Sequence, residues 1–120
     1  MKLSVALVFM MLAMSATVRA HHSYVSKYDG GKVIKLSGTV AGVSYKNPHI
    51  IFTLATASGS WTIESESIPV VRAAGLTEAI LKAGVAATVT GWPAKSGSAQ
   101  LGLKSITIGG RTMTLRGSAR

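Results

Sequence analysis

The sequence predicts a small, mainly β barrel of five to six strands with one helical connection, preceded by a cleaved leader. Three observations carry this. Apolar and polar residues alternate at period two through most of residues 33–115. Glycine-rich or small polar turns divide that region into short runs. Only the stretch 68–84 drops the alternation for helical spacing, with Pro69 placed for a first turn. Closing such strands into a barrel leaves few free edges.

The first run, "KVIKLSGTVAGVSY", places Ile34, Leu36 and Val40 on one parity, and Gly38 and Gly42 predict bends or bulges in a long strand. Asn47-Pro48-His49 ends it. The runs "HIIFTLA" and "SWTIESE" flank a turn centred near Ala57-Ser58, so paired residue numbers sum to about 115. Phe52 then faces Ile63 and Leu54 faces Trp61, a match that a one-residue slip would destroy. The same register sets His49 across from Glu66, or from Glu64 after a two-residue slip, on the face opposite Phe52 and Trp61.

In 68–84, Gly75 interrupts the helical pattern, Thr77 is placed to restart it and Gly84 to end it, with Ile80 and Leu81 inward. "VAATVTGW" is a further strand, with Val89 inward and Trp92 on the outer parity of Thr88 and Thr90. "LGLKSITI" changes parity between Leu103 and Ile106, which predicts a bulge near Lys104. Gly109-Gly110 predicts a tight hairpin into "RTMTL". Residues 116–120 read as a disordered tail. Three strands, a helix and two strands in that order is the order of an OB-fold, and the barrel domain is expected over 33–115 after an arm at 21–32.

The leader is residues 1–20. Lys2 precedes the apolar run "VALVFMMLAM", and Val18-Arg19-Ala20 suits signal peptidase; cleavage after Ala16 is the poorer alternative because of Met14. The run is short for a membrane span, which needs about 20 residues; an uncleaved anchor is the competing reading. Cleavage after Ala20 predicts a periplasmic or secreted protein that starts at His21 and keeps no stable membrane anchor. Removing residues 1–20 from the 120-residue chain leaves 100 residues and, with Lys2 and Arg19 gone, a formal charge of +7. That is one domain with a modest core. No lysine–arginine run occurs, so the charge reads first as solubility, with anionic lipid or acidic glycan as partners it would suit. The chain has no cysteine, which excludes thiolate metal sites and thiol nucleophiles. Its only carboxylates are Asp29, Glu64, Glu66 and Glu78, and it has no Gly-x-Ser-x-Gly elbow for a serine hydrolase.

"HHSY" after the leader, then "YD", a "GTV" strand, "NPH" and a Trp61-x-x-Glu64 spacing together resemble a family of small exported bacterial proteins known only as a domain of unknown function. The resemblance spans most of 21–115. It departs at Lys46, where an aromatic is expected, and in 68–84, where Arg72 is a loose counterpart of an arginine-glycine turn. It implies export and a small β fold, and no reaction.

The three histidines, His21, His22 and His49, supply the remaining chemistry. A terminal amine and the Nδ1 of His21 can chelate one ion, and His49 can add a third nitrogen in a histidine brace. His22 offers a local mode through amine, backbone nitrogen and imidazole. Nitrogen-rich, roughly planar donation favours copper(II). His21, His22, His49 and Glu64 or Glu66 would instead suit zinc in a tetrahedron. The main expectation is therefore an exported, non-enzymatic copper-handling or chaperone protein, with a metal ion and a periplasmic protein as partners. The alternative is a metal-free binding module for a protein, glycan or lipid head group. A copper oxygenase is a third reading. Nucleic acid is set aside because of export and scattered charge. Asp29, Asn47 and Trp61 read as turn, turn and core residues.

Overall fold

A computed structural model describes residues 26–115 and shows six strands there, with a short helix between the third and the fourth. The strands are β1 (Ile34–Ser44), β2 (Ile51–Thr56), β3 (Gly59–Glu64), β4 (Ala86–Pro93), β5 (Gln100–Ile108) and β6 (Arg111–Thr114); α1 (Ile68–Ala73) lies between β3 and β4. The sheet runs β3-β2-β1-β4-β5-β6, and a parallel pairing of β3 with β5 closes the first five strands into an OB-type barrel. β6 is a hairpin addition on β5. The expected leader, most of the arm and the expected tail lie outside the described residues. No helix among the described residues is long and apolar enough to cross a membrane.

The register of the β2–β3 hairpin follows its apolar pattern: Phe52 pairs with Ile63 and Leu54 with Trp61. Phe52, Leu54 and Ile63 point inward and are buried with Val89, Leu101, Leu103 and Ile106 in one core. A slip by one residue would turn Ile51 and Thr53 inward instead, so burial fixes the register.

Two bulges let the strands curve around that core. In β1 the partners jump from Val40 to Gly42. In β5, Thr90 pairs with Ser105 and Gly91 with Leu103, so Lys104 is the extra residue that the parity change foretells. Gly38 and Gly91 sit where strands approach closely: a Cβ there would land on the carbonyl oxygens of Ala55 and Gly102. The Gly109–Gly110 turn has both residues at positive φ, 59° and 78°, as a two-residue hairpin requires.

The helical connection is shorter than its sequence suggests. α1 ends at Ala73, and Thr77 restarts no helix; its carbonyl accepts from Ile80 N–H (3.1 Å) and Leu81 N–H (2.9 Å) in a single turn. Leu76 and Leu81 are buried by this turn and Ile80 is half-buried, so packing is satisfied without further helix. Trp92 also differs from expectation. It keeps the outer parity of Thr88 and Thr90 yet is only 7% exposed, because Tyr28 of the arm covers it.

Candidate functional site

The site is assembled from three segments that are far apart in sequence. The first is the arm. Lys27–Asp29 lies beside the end of β4: Asp29 N–H donates to the Pro93 carbonyl (2.9 Å), and Lys95 N–H donates to the Lys27 carbonyl (2.9 Å). These bonds hold Tyr28 opposite Ala94. Tyr28, Trp92 and Ala94 form a small apolar cluster outside the barrel core, and Tyr28 is 2% exposed. Burying an aromatic side chain of this kind stabilises by about 1.5–3 kcal/mol, enough to dock the arm.

The second segment is the β1–β2 loop, where Asn47-Pro48-His49 sits with a cis Asn47–Pro48 peptide. Asn47 Oδ1 accepts the Ile68 N–H at 2.8 Å. It thereby satisfies the first residue of α1, whose own N-cap, Ser67, makes no side-chain capping bond. Asn47 is thus a helix cap supplied from 21 residues away, rather than only a turn former.

The third segment is the end of β3. Glu64 points to the outer surface and pairs through its backbone with Ile51. His49 lies two residues before Ile51, so it meets Glu64 along the diagonal of the ladder, within the reach of long side chains. His49 Nδ1 is 3.2 Å from Glu64 Oε2. The register therefore holds without a slip, and the histidine still reaches Glu64. Ile50 N–H donates to the Glu66 carbonyl at 3.0 Å, which extends the ladder past the named strands.

Glu64 is the centre of the arrangement. Tyr28 donates its phenol to Oε1 at 2.6 Å, Lys27 Nζ lies 3.6 Å from the same oxygen, and His49 holds Oε2. Lys27 Nζ is also 5.4 Å from the Tyr28 ring centroid, within cation–π range. The Glu64 side chain is 15% exposed, and a carboxylate so shielded needs such partners. The Tyr28 bond joins residues 36 apart in sequence.

Of the five expected metal ligands, the structure brings His49 and Glu64 together and places Glu66 two residues beyond Glu64. His21 and His22 lie outside the described residues. Among the described residues no group of three or more His, Asp or Glu side chains gathers as a metal site would need. The sequence reading gave Lys27 and Tyr28 no role. The available signal is the "YD" element of the resemblance: its Tyr28 meets His49 of "NPH" and Glu64 of Trp61-x-x-Glu64 at one place, while Trp61 packs toward the core.

That place is the outer face of β2 and β3, between the β1–β2 loop and the β4–β5 loop. Ala99 in the latter loop touches β3 through the Thr62 N–H bond to its carbonyl (3.0 Å). Ile51, 39% exposed, adds an apolar side chain to the face.

The profile of a family described as a family of unknown function, DUF6152, matches residues 8–104. No curated protein matches the chain. Among solved structures, it is similar to TiaS lacking its ZRD and in complex with agmatine, with 20% identity and a TM-score of 0.52 over 77% of this chain and 24% of that one. It is similar to yeast Stn1 and Ten1, with 16% identity and a TM-score of 0.53 over 63% of this chain and 42% of that one. An OBody bound to hen egg-white lysozyme shares 12% identity and a TM-score of 0.53 over 71% and 89% of the two chains. The chain thus spans about a quarter of the length of TiaS. At these identities the likeness shows the fold. The exclusion of nucleic acid does not hold: the same barrel fold occurs in TiaS solved in complex with a tRNA and ATP, so the fold gives no ground for setting that partner aside.

Proposed function

We propose that this chain, which belongs to the DUF6152 family of unknown function, is an OB-type binding module that grips an anionic macromolecule on the outer face of β2 and β3. One observation carries the reading. Tyr28, His49 and Glu64, one side chain from each of the YD, NPH and Trp61-x-x-Glu64 elements, meet on this face, and OB barrels bind oligonucleotides and oligosaccharides there, between the loops equivalent to β1–β2 and β4–β5.

Charge selects the partner's sign. Nine of the 13 lysines and arginines lie within residues 26–115, against all four carboxylates. Lys27 and Lys95 stand at the rim of the face, joined through their backbones. Glu64 is engaged by Tyr28, Lys27 and His49 and so presents little free negative charge to an incoming anion. TiaS solved with a tRNA, and the OBody solved with a protein, support a macromolecular partner in general terms. The role is binding rather than catalysis, in a small bacterial protein exported by its first 20 residues.

The test is fluorescence anisotropy with a labelled single-stranded oligonucleotide, a sulfated glycan and anionic vesicles. Wild type is compared with Lys27→Glu/Lys95→Glu and with Lys35→Glu, which lies on the opposite face, paired with Thr90. The reading expects salt-dependent binding to one of the three probes, lost in the double variant and kept in Lys35→Glu. Equal weakening in both variants would reduce the interaction to net charge and remove the site.

A second reading, copper binding with His49 as a ligand, is favoured by the contact of His49 Nδ1 with Glu64. A carboxylate on one ring nitrogen orients the other toward a metal. Calorimetric titration of copper(II) into protein starting at His21 tests it: His49→Ala should weaken binding, and unchanged affinity would remove His49 from the site.

A further inference from the structure

Tyr28 buries its ring on the outside of the barrel, on a surface the sheet itself leaves open. The register defines that surface. Glu64 of β3 pairs with Gly102 of β5, and Gly102 pairs with Trp92 of β4. The three residues therefore form one row across three strands on the outer face. Adjacent strands lie about 4.8 Å apart, so the indole and the carboxylate stand about two strand spacings apart, with a glycine between them. A side chain that packs on Trp92 and bonds Glu64 must cross β5 at Gly102, which carries no side chain to obstruct it. Tyr28 does both.

We propose that Trp92, Gly102 and Glu64 form a ring-binding slot that the chain fills with its own Tyr28, and that a nucleobase of the partner takes the place of that ring. This rests on the reading of the β2–β3 face as a binding surface and names the chemistry it selects. Trp92 supplies a stacking wall, the kind of platform on which bases lie. Glu64 Oε1, released by the Tyr28 hydroxyl, accepts one N–H from the base edge, while Oε2 stays with His49. Lys27 and Lys95, which flank Tyr28, are exposed and placed for the attached phosphate. The plug is separable from the barrel. Tyr28, Trp92 and Ala94 form a cluster apart from the main core, and the bonds that Asp29 and Lys95 make between the arm and β4 involve backbone atoms only.

The test uses the full mature chain and 5′-mononucleotides as probes, followed by tryptophan fluorescence and calorimetry. Tyr28→Ala vacates the slot and should bind a nucleotide at least about tenfold more tightly than wild type, since an occupied site taxes the apparent affinity. Glu64→Ala in the Tyr28→Ala background should abolish that gain. Tyr28→Phe keeps the ring but frees Glu64, and should fall between wild type and Tyr28→Ala. If circular dichroism shows Tyr28→Ala unfolded, the Tyr28→Phe comparison decides alone. Affinities of Tyr28→Ala and Tyr28→Phe equal to wild type would overturn the slot, as would a gain that survives Glu64→Ala. If wild type binds an oligonucleotide through Lys27 and Lys95 while the Tyr28 variants change nothing, the slot falls and the binding face stands. If no polymer binds wild type but the Tyr28 variants gain nucleotide affinity as described, the slot stands without the wider face.

Discussion

The two outer faces of this barrel are built in opposite ways. Across β1, β4, β5 and β6, the register lines up Ser37, Thr88, Thr107 and Thr112 in one row, and Lys35, Thr90, Ser105 and Thr114 in the next. Their hydroxyls bond one another across the strands: Ser37 with Thr88 at 2.9 Å, Thr90 with Ser105 at 2.6 Å and Thr107 with Thr112 at 2.7 Å. Each contact is repetitive and made by neighbours in the sheet. Across β2 and β3 the pattern stops at one pair, Thr53 facing Thr62, with no hydroxyl–hydroxyl bond between them. Glu64 is held by residues from the arm and from the β1–β2 loop, and Asn47 in that loop caps a helix. The hydroxyl face is a surface the sheet satisfies by itself, whereas the β2–β3 face depends on segments brought from elsewhere. A face of the second kind is where substitution reaches beyond its own strand.

The contrast makes graded predictions. Tyr28→Ala removes a buried aromatic and the arm's anchor; it should lower the unfolding free energy by about 3 kcal/mol, near the lower end for aromatic-to-alanine changes. A loss under about 1 kcal/mol in chemical denaturation, the size of an ordinary single substitution, would mean the arm is not docked as described. Asn47→Ala should cost about 1 kcal/mol through the lost cap on Ile68. It should also raise amide hydrogen exchange in α1, while β6 stays as protected as in wild type. Ser65 is fully buried at the end of β3, and its hydroxyl has no hydrogen-bond partner. Ser65→Ala should therefore stabilise the protein by up to about 1 kcal/mol, and a clear loss of stability would show that the hydroxyl has a partner. Thr107→Ala on the hydroxyl face should cost only about 0.5 kcal/mol, within the range for one cross-strand pair, with exchange changes confined to β4, β5 and β6. An effect as large as that of Tyr28→Ala would erase the distinction between the faces.

Local pattern makes much of the barrel readable. The hairpin register follows from Phe52, Leu54, Trp61 and Ile63, whose alternation permits one pairing. The bulge at Lys104 follows from the parity change between Leu103 and Ile106, and the last turn from two adjacent glycines. Closure is less legible. The β3–β5 pairing involves only Thr62, Ile63 and Glu64 against Gln100, Leu101 and Gly102, and a parallel contact that short leaves no periodic trace. Within the site, strand parity places His49 and Glu64 on one face, although the contact is diagonal rather than directly across. The Tyr28–Glu64 bond does not follow in that way, because no strand pattern relates residues 36 apart across the barrel. The coverage of Trp92 is hidden for the same reason: its parity points outward, and only the arm, which has no periodicity of its own, buries it.

The central claim is that the β2–β3 face is the working surface. Backbone amide chemical-shift mapping tests it most directly, using isotopically labelled protein titrated with a short single-stranded oligonucleotide. The account predicts shifts concentrated at Lys27, Tyr28, His49, Ile51, Thr62, Glu64 and Lys95, with Ser37, Thr88 and Thr107 unmoved. Shifts centred on the Ser37–Thr112 rows would contradict it, as would the absence of shifts with the oligonucleotide, a sulfated glycan and anionic vesicles alike.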